Sequence, residues 1–450
     1  MINKMFFHFS KGDRANYLPF LFYKKNDFYY TNTDGDFYMQ VKLLNLHKLL
    51  SNIATNLVGA FIPLIVYNAT GKLLYGIIAY ALQYVIRTIV NFLFKKMFLN
   101  KPQLSLVYRI IPIILYSVSI LLIDSYLWVG IVGAVFFYGV SEAFKNLPKE
   151  VIYNYSTLEN AGDGIGLTRL FEQIGTLAAF IVGGYILDIS KVTVIIISLS
   201  IYAISCIPLL VYYFKSANQA GFNKDFTSNA REDAKKNEKR FNQGEKVGKK
   251  IIMSYMVTYF LYCFIDALTT AYMLLIMVKG QGNYSQAGIF TAVYNGAYGI
   301  GAYLFGILFD KKDTTGWVIA CSLVMAGGVM GIAFAQNVYL LYALFAVVGF
   351  AYGLIPLFMF QNLLAKIRIL GMSNRALVER EYACGMSVAV AILFGSFGTL
   401  LPVFIAISSA LAITAYRIPY NESKTRRLLV NYLQNNEIIQ EEKKVFIRKK

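Results

Sequence analysis

Residues 103–144 read QLSLVYRIIPIILYSVSILLIDSYLWVGIVGAVFFYGVSEAF, two apolar runs parted only by Asp124-Ser125. A hydrocarbon core about 30 Å thick is crossed by about 20 apolar residues of helix, because backbone polar groups in lipid must be satisfied within the segment. The stretch therefore predicts two membrane-spanning helices, at 103–123 and 126–144, joined by a tight turn. Working outward, the pattern recurs at 49–67, 72–94, 166–188 and 191–214. After a polar gap it returns at 251–278, 285–309, 315–335, 338–361, 381–398 and 401–417. That gives twelve spans, although residues 396–402 (SFGTLLP) offer only a tight turn, and eleven is the alternative. Of 450 residues, 57% are hydrophobic and 15% charged, and the apolar ones collect in blocks that no soluble fold needs. The fold class expected is an all-α integral membrane protein, its helices arranged as two six-helix bundles.

The formal charge of +18 points to topology, not to nucleic acid. Connections 95–102, 145–165, 215–250, 310–314 and 362–380 together hold 21 Lys and Arg, whereas the opposite side, span ends included, carries Lys72, Lys191 and Lys279. By the positive-inside rule both termini are expected in the cytoplasm of a multi-pass plasma (cell) membrane protein. Anionic lipid is then the electrostatic partner.

Residues 1–48 read as an aromatic-rich cytoplasmic tail. Asp34-Gly35 between Phe28-Tyr29-Tyr30 and Phe37-Tyr38-Met39 is a hairpin signal, with a disordered tail as the alternative. Residues 49–214 form the expected N-terminal bundle, 215–250 a basic cytoplasmic linker too polar to bury a core, and 251–417 the C-terminal bundle. Residues 418–450 form a cytoplasmic tail whose 421–450 segment reads as a surface helix.

Two six-span halves around a long basic linker resemble the major facilitator superfamily over residues 49–417. That family carries a loop motif of the form G-x-x-x-D-[RK]-x-G-[RK]-[RK], and Gly306-Ile-Leu-Phe-Asp310-Lys311 matches its first six positions. Asp313 stands where the family prefers Gly. In the first half, the frame from Arg87 to Lys96 keeps only the closing basics Lys95 and Lys96, with Asn91 in place of the acid. The resemblance implies a transporter fold in which Gly306, Asp310 and Lys311 act as a gating latch. The physics agrees: Gly306 permits close helix approach, and Asp310 can pair with a cation or a helix N-terminus. The plainer reading is a solvated loop.

An ionisable group inside a span costs about 2.5–3.5 kcal/mol on insertion scales, so Asp266, midway along span seven, is the candidate for proton coupling, with a purely structural pairing to a Tyr or cation of a neighbouring span as the alternative. Tyr255, Tyr259, Tyr262, Asp266, Thr269, Thr270 and Met273 recur at three- and four-residue intervals and share one helical face. That face suits a water-filled cavity. Asn52, Asn56 and Pro63 in span one, Tyr294, Asn295 and Tyr298 in span eight, and Tyr352, Pro356 and Gln361 in span ten extend the same surface, or serve as interhelical glue. Arg87, Arg109, Glu142, Arg169 and Glu172 lie near the cytoplasmic ends of spans two to five. They are expected to form a charge network, with Arg87 and Glu142 one pairing of it, although arginines so placed can also snorkel.

Other chemistry is poorly provided for. Only His8 and His47 exist, both ahead of the first span, and no nucleophile with a base lies in the membrane, so an enzyme is not expected. No phosphate-binding loop appears, and Gly162-Asp-Gly164-Ile-Gly166 lacks the preceding strand of a dinucleotide site. Cys206, Cys263, Cys321 and Cys384 have no paired spacing, so neither a metal nor a disulfide is expected. The function expected is secondary active transport of a small organic solute by alternating access, with protons as the possible coupling ion. A facilitator and a lipid flippase are the alternatives. The chain is expected to act as a monomer, without cofactor, metal or nucleic acid.

Overall fold

The computed structural model describes residues 34–156, 161–217, 238–279, 283–309, 315–335, 337–368, 370 and 372–395, and parts of 410–432. Among the described residues every regular element is helical. In chain order these are α1 (Asp34–Asn56), α2 (Ile62–Thr70), α3 (Leu73–Leu93), α4 (Lys95–Asn100), α5 (Pro102–Tyr108), α6 (Ile110–Leu122) and α7 (Leu127–Ser156). They continue as α8 (Ala161–Ile189), α9 (Lys191–Ala217), α10 (Glu238–Lys279), α11 (Tyr284–Phe309), α12 (Thr315–Phe334), α13 (Val338–Arg368) and α14 (Ser373–Gly395).

Seven described segments are long and apolar enough to cross a membrane, among them Leu43–Thr70, Pro102–Leu122, Leu127–Ile152 and Val338–Ile355. Exposed Phe92, Ile111, Val132, Ile189 and Ile196 give their outer faces an apolar surface suited to lipid. The chain is thus a multi-pass membrane protein. Residues 396–409 lie outside the described residues, so the division between spans eleven and twelve does too.

Four boundaries differ from the sequence expectation. Asp34-Gly35 makes no hairpin turn. Both residues lie in α1, and Phe37-Tyr38-Met39 continue as helix. The linker's last residues are also helical, since α10 starts at Glu238 and carries an i,i+4 pair, Glu245 with Lys249 at 2.6 Å. Span eleven starts early, at Ser373, which puts Arg380 inside a helix instead of in a loop and Glu381 two turns into that helix instead of at its start. Finally, Asn421 and Thr425 are not on a free surface helix. The Asn421 amide donates to the Ser254 carbonyl at 3.0 Å and to Thr258 Oγ1 at 2.8 Å, while Thr425 Oγ1 accepts from Lys366 Nζ at 3.0 Å.

Residues 41–450 form one compact unit; of residues 1–40, only the start of α1 is described. Within the larger unit, α8 and α11 make the most extensive helix pairing, and α14 packs on both α10 and α3. Glycine makes the first pairing possible. A Cβ on Gly288 would stand 2.2 Å from the Phe180 carbonyl oxygen, and one on Gly184 would stand 2.4 Å from that of Tyr284. Small residues let backbones approach where dispersion, not the hydrophobic effect, holds helices together.

The first span is broken. After Asn56 the chain turns through a 3₁₀ segment, Gly59–Phe61, before α2 resumes with Pro63 in its first turn, where a missing N–H leaves no bond unmade. Gly59 fits because the Tyr138 ring lies 2.1 Å from where its Cβ would be. This break forms part of a cavity wall.

Candidate functional site

A cavity of about 290 Å³ lies between α1–α3, α7 and α8 of the first half and α11 of the second. Its lining is amide, hydroxyl and aromatic: Asn56, Gln83, Thr176, Thr291 and Asn295 beside Tyr80, Tyr84, Tyr138, Phe180 and Tyr294. The backbone break contributes Gly59, Ala60 and Phe61. Asn56 Nδ2 donates to Thr176 Oγ1 at 3.2 Å, and Asn295 Nδ2 donates to the Thr291 carbonyl at 2.8 Å. Tyr80 and Tyr84 hydroxyls lie 3.2 Å apart. Gln83 is buried, and its Nε2 has no hydrogen-bond partner among the described residues.

Among the described residues two charged groups, Arg87 and Glu142, reach the lining, and both are satisfied elsewhere. Arg87 pairs with Glu381 of α14, its Nε 2.9 Å from Oε2 and its Nη2 on the same oxygen. Asn91 Nδ2 adds a bond at 3.4 Å, and Arg380 Nη2 reaches Glu381 Oε1 at 3.0 Å and, through Nη1, Glu150 Oε2 at 3.7 Å. This buried cluster joins α3 and α7 to α14. Glu142 accepts from Arg109 Nη2 at 2.9 Å, while Arg109 Nε lies 3.0 Å from the Ser141 carbonyl. A third cluster stays in the first half, where Glu172 Oε1 receives Lys149 at 2.8 Å and Lys48 at 3.1 Å. Outside the spans, the hydrogen bond and charge of Lys249 hold the Glu245 carboxyl below the usual range, and Arg375 adds to this at 3.4 Å.

These clusters lie toward the end of the bundle that carries most basic residues, called here the basic face. Toward the other end, Asp188 of α8 accepts from the backbone N–H groups of Tyr284 and Ser285, both at 3.0 Å, and so caps α11. Phe61 meets Phe180 and Tyr284 edge-on, at 5.6 and 6.1 Å between ring centroids. The two halves of the chain therefore touch on both sides of the cavity.

The sequence candidates are distributed unevenly. Asn56, Tyr294 and Asn295 line the cavity. Asn52 instead borders a second, water-sized hollow with His47, Lys48, Arg109 and Lys149. Tyr262 stacks on Tyr352 at 4.7 Å, and Tyr298 lies 5.7 Å from Tyr352, so these three pack with each other. Tyr259 is buried in the same apolar cluster. Asp266, Thr269, Arg169, Gly306, Asp310 and Lys311 lie outside the described residues or have side chains that do. The Arg87 pairing differs from the expected one, because packing of α14 on α3 brings Glu381 to Arg87 and leaves Glu142 to Arg109. Sequence reasoning missed Tyr80, Gln83, Tyr84, Glu381, Arg380 and the lysines on Glu172. Tyr80, Gln83, Tyr84 and Arg87 recur at i, i+3, i+4 and i+7, a stripe of the kind noted around Asp266.

The Major Facilitator Superfamily family model matches residues 50–368. Among solved structures, a variant of the E. coli fucose:proton symporter FucP is similar, with a TM-score of 0.59 and 12% sequence identity, covering 86% of this chain and 99% of that one. At that identity the likeness concerns the fold alone. No curated protein matches the chain by sequence. With the family model spanning well over half of the residues, the chain belongs to the major facilitator superfamily of transporters.

Proposed function

We propose that this chain is a secondary transporter that moves a small organic solute across the plasma membrane by alternating access, with the basic face and both termini cytoplasmic. The observation that carries the reading is the cavity of about 290 Å³ between the two halves of the chain, bounded on one side by the Arg87–Glu381 pair and on the other by the Asp188 cap. Transporters of this architecture bind substrate near the midplane between repeats and rock the repeats about it. An ion pair and a helix cap that each bridge the halves are contacts such rocking has to break. Solute placed between them meets one open side at a time. The division into bundles at 49–214 and 251–417 is part of the same reading.

Proton coupling is the finer part, and it rests on Asp266, a lone carboxylate in the middle of span seven. Loss and gain of its proton can bias the two states. Purified protein in proteoliposomes tests the whole. Solute exchange above protein-free vesicles supports transport, and co-movement of protons that disappears in Asp266→Asn supports coupling. Equal exchange in both, without proton movement, leaves a facilitator. Movement of lipid and of no solute removes the transporter reading.

A further inference from the structure

We propose that the transported solute is uncharged, polyhydroxylated and of about monosaccharide size, held by Asn56, Gln83 and Asn295 against the rings of Tyr80 and Tyr84; this rests on the transporter reading above.

The hydrogen-bonding inventory of the cavity carries the argument. Asn56 and Asn295 each engage their amide nitrogen with a neighbour, at 3.2 and 2.8 Å. Their carbonyl oxygens remain as acceptors. Gln83 supplies the complement, a buried Nε2 with no partner among the described residues. Buried polar groups left unmatched are costly, and a solute that matches them relieves the cost. A wall offering neutral donors and neutral acceptors together suits hydroxyl groups, which both donate and accept.

Charge favours a neutral solute. Arg87 and Glu142, the ionic groups among the described lining residues, are taken by Glu381 and Arg109, with N–O distances of 2.9 Å in each pair. A carboxylate or ammonium solute that draws its counter-ion from them displaces one of these buried pairs, leaving a charge uncompensated. A neutral solute leaves both intact. Aromatic faces at Tyr80 and Tyr84, whose rings lie 5.2 Å apart, suit the apolar face of a hydroxylated ring. The volume of about 290 Å³ falls at the small end of ligand sites, which run from about 300 to 1,000 Å³.

The test offers wild-type protein in proteoliposomes a panel of labelled solutes singly: glucose, galactose and mannitol as neutral polyols, and alanine, glutamate, lysine and succinate as zwitterionic or charged ones. Counterflow of at least one polyol at more than ten times the protein-free rate, with none for the charged set, is the expected result. Gln83→Leu is then expected to raise the KM for that polyol about tenfold, as loss of one neutral hydrogen bond does, with little change in kcat. Exchange of a charged solute and of no polyol overturns the class while leaving transport established. Exchange of nothing on the panel, with labelled lipid equilibrating between leaflets, overturns the class together with the transporter reading. The panel uses unaltered protein, so poor folding of the Gln83 variant cannot shelter the proposal. An unchanged KM in a folded variant removes Gln83 from the site.

Discussion

Arg87 of α3 and Glu381 of α14 stand 294 positions apart in the chain and share a buried ion pair at the edge of the cavity. Glu381 is the centre of that cluster, since it also receives Arg380 at 3.0 Å. Removing one partner of a buried pair costs about 3–5 kcal/mol, because the other is left charged and unsolvated. Glu381→Gln strands Arg87 and leaves Arg380 with Glu150 at 3.7 Å, whereas Arg87→Met leaves a carboxylate that still has Arg380 at 3.0 Å. Thermal unfolding in detergent is therefore expected to show the larger loss in Glu381→Gln. Equal losses would mean that Arg380 draws little from Glu381.

The same pair bridges the halves, so it should set the balance of open and closed states. Arg87→Glu and Glu381→Arg alone are each expected to lower solute exchange in proteoliposomes by tenfold or more, while the double exchange restores part of it. A double variant as inactive as the worse single one counts against a gating role and favours a fixed orientation of Arg87.

Glu172 holds two lysines on one oxygen, Lys149 at 2.8 Å and Lys48 at 3.1 Å, tying α1, α7 and α8 together. Asp124 and Lys191, by contrast, meet at 2.6 Å on the surface, with side chains 68% and 32% exposed. Solvent-exposed pairs contribute about 0–1 kcal/mol. Glu172→Gln is expected to lower the unfolding temperature clearly, and Asp124→Asn hardly at all. A Glu172→Gln protein as stable as wild type would show that the two lysines reach water or another acceptor.

The apolar blocks located the spans because length and hydropathy are local properties, and Pro102–Leu122 and Lys191–Val211 fall within a few residues of the expected ends. The charge partners were not local. Arg87 meets Glu381 because α14 packs on α3, and nothing near either residue announces that packing. Glu172 was legible as a network member, yet its partners Lys48 and Lys149 are ordinary topology signals in sequence. Asn56, Tyr294 and Asn295 were found by periodicity, whereas Tyr262, Tyr298 and Tyr352 show the same periodicity and stack together. Period tells which residues share a face, not what that face meets.

Close approach of α8 and α11 depends on glycines with backbone as their neighbours. Gly288→Ala brings a methyl to 2.2 Å from the Phe180 carbonyl oxygen, which cannot yield without moving a helix. Gly327 has nothing within 4 Å of its missing Cβ, so Gly327→Ala removes only the poor helix propensity of glycine, worth about 1 kcal/mol. The expected pattern is a folded but less stable, poorly transporting Gly288→Ala and a Gly327→Ala at least as stable as wild type. Circular dichroism melts and proteoliposome exchange measure both.

Asp188 tests the other side of the cavity. Its two oxygens accept from the Tyr284 and Ser285 N–H groups at 3.0 Å each, so one side chain of α8 satisfies the first donors of α11. Loss of a helix cap costs about 0.5–2 kcal/mol. Because this cap joins the two halves, that energy is taken from states in which they touch here, and Asp188→Ala should raise the share of states open on this side by about two- to thirtyfold. In a background without Cys206, Cys263, Cys321 and Cys384, Ala60→Cys places a thiol on the cavity wall. A membrane-impermeant maleimide added from the face opposite the basic one should label it correspondingly faster in Asp188→Ala. An unchanged rate would mean that the cap orders α11 without restraining the halves.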